Sequence, residues 1–203
     1  MPRGGGEVAI VLDGDRLAAD HRYFRFGGTR HSPDHGLVAW SADIKGSEYF
    51  SIRVRDWATG ADHDDIVEET DGAVVWSADS RSFFYVKLDD NHRPMQVWRH
   101  RLGTPQADDV LVYEEQDAGW FTHIHESSSG RFCVIAGGDH ETSEQRLIDL
   151  ADLSAPPLLP VSGRAGDGIY EQNAGEFFSS LDRARLPIKY LAALFSAGNV
   201  DIV

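Results

Sequence analysis

The sequence predicts an all-β protein: a partial, open β-propeller of antiparallel four-stranded blades, followed by a short, helix-like C-terminal tail. Three observations lead there. A polar turn feeding an apolar, strand-forming run occurs three times, at Ser32-Pro33-Asp34-His35-Gly36-Leu37-Val38-Ala39-Trp40, Ser77-Ala78-Asp79-Ser80-Arg81-Ser82-Phe83-Phe84-Tyr85 and Ser127-Ser128-Ser129-Gly130-Arg131-Phe132-Cys133-Val134-Ile135. The copies start 45 and then 50 residues apart, the length of a propeller blade. Each is followed by a segment of period-two alternation, the mark of a half-buried strand.

The elements follow in order. In the first unit, strands are expected at about Leu37–Asp43, Tyr49–Asp56 and Asp64–Glu68. Ser51-Ile52-Arg53-Val54-Arg55-Asp56-Trp57-Ala58-Thr59-Gly60 alternates and then turns. Met95-Gln96-Val97-Trp98-Arg99-His100-Arg101-Leu102-Gly103-Thr104 repeats that form, with Gly103 lying 43 residues after Gly60. The second unit begins near Gly72, passes through Val74-Val75-Trp76, and has strands at about Phe83–Leu88, Gln96–Leu102 and Asp109–Tyr113. The third takes up Trp120–Ile124, Phe132–Gly137 and Gln145–Leu150. In the first turn Pro33 presets one backbone angle, Ser32 and Asp34 offer side-chain caps, and Gly36, like Gly130, tolerates positive φ. Trp40, Trp76, Phe84 and Tyr85 recur at similar phases, as expected where blades cover each other's apolar faces. The period weakens near Ala155-Pro156-Pro157. Residues 1–161 are therefore read as about three blades, and 162–203 as an incomplete fourth blade around Ile169–Phe178 with a divergent, helix-like tail interrupted by Pro187.

Composition bounds the function. Hydrophobic residues make up 41% and charged residues 26% of 203, an ordinary globular balance. Nineteen basic residues against 33 acidic ones give a formal charge of −14. That charge disfavours nucleic acid and anionic membranes as partners and suits basic ones. No run approaches the roughly 18 apolar residues of a membrane span. A single cysteine, Cys133, excludes an internal disulfide framework, and no secretory leader pattern opens the chain. The expected compartment is the cytoplasm.

Motifs for chemistry are missing from these residues. There is no Gly-x-Ser-x-Gly, Gly-x-Gly-x-x-Gly, phosphate loop, Cys-x-x-Cys or His-Glu-x-x-His. His123 and His125 share one strand face near Glu126 and His140, but a third metal ligand at proper spacing is not identifiable. The acidic runs at residues 62–65, 89–90, 108–109 and 114–115 read mostly as solvated loops. The competing reading is a negative rim for basic peptides. No catalytic, cofactor-binding or metal-ligating residue is assigned, and no cofactor is expected.

Several stretches carry a resemblance. Leu12-Asp13-Gly14-Asp15-Arg16-Leu17-Ala18, His21-Arg22-Tyr23-Phe24, Ser32-Pro33-Asp34-His35, Tyr49–Gly60, Gly72–Asp79, Phe83–Val86 and, most strongly, Val97-Trp98-Arg99-His100-Arg101-Leu102-Gly103-Thr104-Pro105 with Asp109–Glu115 resemble the N-terminal propeller of the prolyl oligopeptidase family, on its oligopeptidase B (protease II) branch. The likeness spans about Val11 to Val161. It implies a seven-bladed propeller that caps an α/β-hydrolase domain and restricts access to short peptides, cleaved after Arg or Lys on that branch. The family's Ser-Asp-His triad belongs to the hydrolase domain and has no counterpart in these residues. The expectation is thus a propeller fragment, a non-catalytic serine-oligopeptidase gate inactive alone. Its expected partners are short basic peptides, a catalytic α/β-hydrolase domain, or further copies of itself through exposed blade edges. The alternative is a stand-alone interaction module.

Overall fold

A computed structural model describes residues 10–162. A five-residue helix, α1 (Gly14–Ala18), is N-capped by Asp13, whose carboxylate accepts the Arg16 N–H at 3.1 Å. Twelve strands follow among the described residues. β1 (Arg25–His31), β2 (Leu37–Asp43), β3 (Phe50–Asp56) and β4 (Asp62–Thr70) form the first blade. β5 (Val75–Trp76), β6 (Ser82–Leu88), β7 (Pro94–Arg101) and β8 (Val110–Glu114) form the second. β9 (Phe121–Glu126), β10 (Phe132–Gly138), β11 (Ser143–Asp149) and β12 (Leu158–Ser162) form the third. Every pairing is antiparallel, and within each blade the paired strands are consecutive in sequence. A single bridge, Thr70 to Lys87, links the first blade to the second, and the third is a separate four-stranded sheet.

The predicted strands are present, with β4 longer than its expected core by two residues at each end. Two strands were not anticipated. β1 carries two adjacent glycines and is mostly exposed, so it lacks the apolar alternation that announces a strand. β12 contains Pro160 and pairs with β11 on one side. Apart from Ser162, the expected fourth blade and helical tail lie outside the described residues.

The recurring turn has one geometry, used three times. In the first copy the Ser32 hydroxyl donates to Asp34 Oδ1 (2.5 Å) and accepts the Leu37 N–H (2.9 Å), while Asp34 accepts the Gly36 N–H (3.0 Å). In the second, Ser77 donates to Asp79 (2.6 Å) and accepts the Ser82 N–H (3.0 Å). In the third, Ser127 lies 3.2 Å from the Ser129 hydroxyl and accepts the Phe132 N–H at 3.1 Å. The backbone enters the left-handed region at His35 (φ 60°), Ser80 (φ 60°) and Gly130 (φ 71°). The positive φ expected at Gly36 therefore falls one residue earlier, on His35. The fourth position of the phrase is the strained one, and only the third copy fills it with glycine.

The core sits between blades. Alternate residues of one strand point to opposite sides, so the second blade feeds two seams. Phe83, Tyr85 and Trp76 pack with Ala39, Ile52, Val54 and Val67 of the first blade. Phe84, Val86 and Val97 pack with Ile124, Cys133, Ile135 and Ile148 of the third. The recurring aromatics therefore serve different surfaces. Trp40 faces away from the second blade, where it stacks with Phe26 (6.3 Å, 6° between planes). Hydrogen bonds stitch the seams. Trp76 Nε1 donates to Arg30 O (3.0 Å) and Ser41 to Gly72 O (2.9 Å) across the first. Ala78 N donates to Leu150 O (2.9 Å) and Arg99 to Leu153 O (2.8 Å) across the second.

Candidate functional site

The first strand of each blade, β1, β5 and β9, together with the segment leading into β5, borders a common open cleft of about 380 Å³. Its polar wall is set by Arg30 on β1, Asp71 before β5, and His125 and Glu126 on β9. Burial raises the Asp71 pKa; the Ala73 N–H, which Asp71 accepts at 2.8 Å, and the nearby His123 oppose that rise. Burial lowers the pKa of His125. The arrangement mixes both signs of charge and can hold a polar, extended ligand by hydrogen bonds.

His123 and His125 alternate with Thr122 and Ile124, which are buried, so the two rings share the exposed face of β9, as period two requires. Glu126 ends that strand. His140 lies past Gly138, which pairs with Phe121, at the opposite end of β9. The structure does not bring His140 to Glu126. Among the described residues no group of three or more His, Cys, Asp or Glu side chains is placed to hold a metal ion. Cys133 is buried in the seam between the second and third blades, and burial raises its pKa far above the ordinary thiol value, so it is an inert packing group.

A second cluster was not legible in the sequence. His100 on β7 is completely buried. Its Nδ1 lies 2.7 Å from Asp109 Oδ1, and its Nε2 lies 3.0 Å from Asp65 Oδ1 on β4. Tyr85 donates to Asp109 Oδ2 (2.9 Å), and the Gly103 N–H donates to Asp65 Oδ1 (2.6 Å). Burial opposes charging the imidazole, but hydrogen bonds and charge from Asp109 and Asp65 outweigh it and raise the His100 pKa. Burial and Asp109 likewise raise that of Tyr85. A histidine held by a carboxylate is half of a catalytic triad. Here, however, the second nitrogen meets another carboxylate instead of a nucleophile hydroxyl, and no solvent reaches the ring. The cluster is cohesive, not catalytic.

The acidic runs also divide. Asp65 and Asp109 turn inward to His100. Glu115 is buried and accepts the Tyr113 hydroxyl at 2.6 Å, and burial together with that contact pushes Tyr113 up to about 12. Asp89 caps its own turn through the Asn91 and Arg93 N–H groups. A solvated-loop reading fails for Asp65, Asp109 and Glu115, and any negative rim is correspondingly weaker.

The family profile described as "Prolyl oligopeptidase, N-terminal beta-propeller domain" matches residues 1–193. The chain belongs to the prolyl oligopeptidase family. Its blades superpose on oligopeptidase B from Trypanosoma brucei, in a closed form with covalently bound antipain, with TM-score 0.70 and 33% identity over 80% of this chain and 24% of that one. For oligopeptidase B from Leishmania major the TM-score is 0.71 with 28% identity, over 75% and 22%. In sequence the chain is 32% identical to Protease 2 of Moraxella lacunata over 164 residues, and 34% identical to Dipeptidyl aminopeptidase BI of Pseudoxanthomonas mexicana over 143. It spans 24% and 20% of the lengths of these two relatives. These 203 residues thus correspond to part of the family's propeller and carry none of its catalytic motifs.

Proposed function

We propose that this chain is the substrate-gating part of a serine oligopeptidase that acts on short peptides after Arg or Lys, and that it performs no bond cleavage itself. The family match over residues 1–193 carries this reading. The similarity to oligopeptidase B structures supports the basic cleavage preference. The open cleft along β1, β5 and β9, with Asp71 and Glu126 on its wall, is compatible with a short basic peptide on its way to a catalytic α/β-hydrolase domain. A cytoplasmic setting is part of the same proposal: with a single cysteine the chain does not depend on an internal disulfide framework. Self-association of the same fragment through an open blade edge draws on the exposed Val110 and Leu111 of β8, the last strand of its blade.

Hydrolysis of a fluorogenic arginine-ended peptide by the purified chain, with its native mass measured alongside, tests the proposal. No turnover is expected. Turnover that persists after contaminating peptidases are excluded would overturn it. A mass above that of one chain is expected from the open blade edges; a monodisperse single-chain mass would count against self-association.

A further inference from the structure

Both ring nitrogens of His100 face carboxylate oxygens at hydrogen-bond distance, and a carboxylate is an acceptor. A neutral imidazole has one N–H and would leave one lone pair pointed at an anion. With both carboxylates ionised, the geometry is satisfied by the imidazolium. The two carboxylates come from different blades: Asp65 sits on β4 of the first, and Asp109 just before β8 of the second.

We propose that His100 is a buried imidazolium clasp that joins the first and second blades and releases as pH rises, making their seam a pH-sensitive joint.

The surroundings fit that role. From β4, Asp65 faces the ring, with His63 Nδ1 3.8 Å from its other oxygen. From β6, the Tyr85 hydroxyl points at Asp109 and the Phe83 ring lies 5.1 Å from the imidazole. From the turn after β7, the Gly103 N–H supports Asp65. Among the described residues, Asp109 makes its ion pair with His100. Deprotonation of His100 would therefore leave two buried carboxylates with neutral donors in place of a shared cation. The seam between the second and third blades is joined differently: an apolar cluster is flanked by Arg146 of the third blade, which lies 4.9 Å from the centroid of the second blade's Tyr113 ring.

The sign follows from linkage. A histidine whose folded pKa exceeds its unfolded value stabilises fully below the unfolded value, near 6.5, and loses that contribution as pH climbs to the folded value. Within this window the clasp equilibrium falls about tenfold per pH unit.

Nuclear magnetic resonance of the full chain with labelled histidine tests the charge state directly. Both His100 ring nitrogens should carry protons at pH 6, and titration should occur above the ordinary imidazole value. A ring that titrates at or below that ordinary value would overturn the proposal. Asp65→Asn should move that titration downward. Amide protection on β4 and β7 should fall about tenfold per pH unit within the window. Protection on these strands that ignores the titration would also overturn it. Because the wild-type chain gives the decisive spectrum, a variant that fails to fold does not block the test.

Discussion

Between the first and second blades, Trp76, Phe83 and Tyr85 share their packing surface with a buried histidine and two carboxylates. Between the second and third, the surface is Phe84, Val86, Val97, Cys133, Ile135 and Ile148. Both seams use the alternating faces of the same two strands, β6 and β7. The apolar seam gains chiefly from area removed from water; ionisable groups such as Asp71 beside His123 lie at its margin rather than in its cluster. The charged seam depends on complete pairing and specifies one register of blade on blade. The same repeat can thus be joined by two different kinds of chemistry.

The largest expected effect comes from breaking the charged seam. His100→Gln leaves two buried carboxylates without their cation and should cost about 3–5 kcal/mol near pH 6. The cost should shrink with rising pH, because the wild type then loses its own proton. Urea unfolding at several pH values reads this. Ile135→Ala, on the apolar seam, should cost about 2–5 kcal/mol through lost transfer energy and a cavity. That cost should be the same at every pH in the same series, so a pH-dependent value would erase the contrast.

A smaller effect tests the repeated turn. Gly130 occupies the left-handed position at φ 71°, so Gly130→Ala should destabilise by about 1–2 kcal/mol in thermal unfolding. His35 and Ser80 show that the fold tolerates a side chain there. The smallest effect concerns His125 in the third blade, whose pKa burial lowers. A depressed histidine stabilises above the unfolded value near 6.5 and loses that contribution as pH falls through the folded value, opposite in sign to His100. The ring is exposed, so solvent screening limits the effect to below about 0.5 kcal/mol. His125→Gln should slightly flatten the acid side of the stability profile.

The sequence made the blades legible because each central strand must alternate to serve two seams. Val38 to Ala42 and Phe83 to Leu88 carry that demand openly. β1 escaped because it pairs with a neighbour on one side only and is mostly exposed, so nothing forces apolar residues onto it. α1 is too short for a helical period to develop. The histidine clasp was hidden for a different reason. Its partners stand 35 residues before and 9 residues after His100, and each lies inside an acidic run whose other carboxylates are exposed. Only the stacking of blade on blade selects Asp65 from the residue 62–65 run and Asp109 from its neighbour Asp108. Chemistry carried by that selection has no local pattern to read.

The contrast between seams is tested most directly by residue-resolved hydrogen exchange on the full chain at pH 6 and pH 9. Protection factors on β3 and β4 would be compared with those on β10 and β11 in the same molecule. The charged seam should lose protection relative to the apolar one as pH rises. Parallel change at both seams, or none at either, would contradict it.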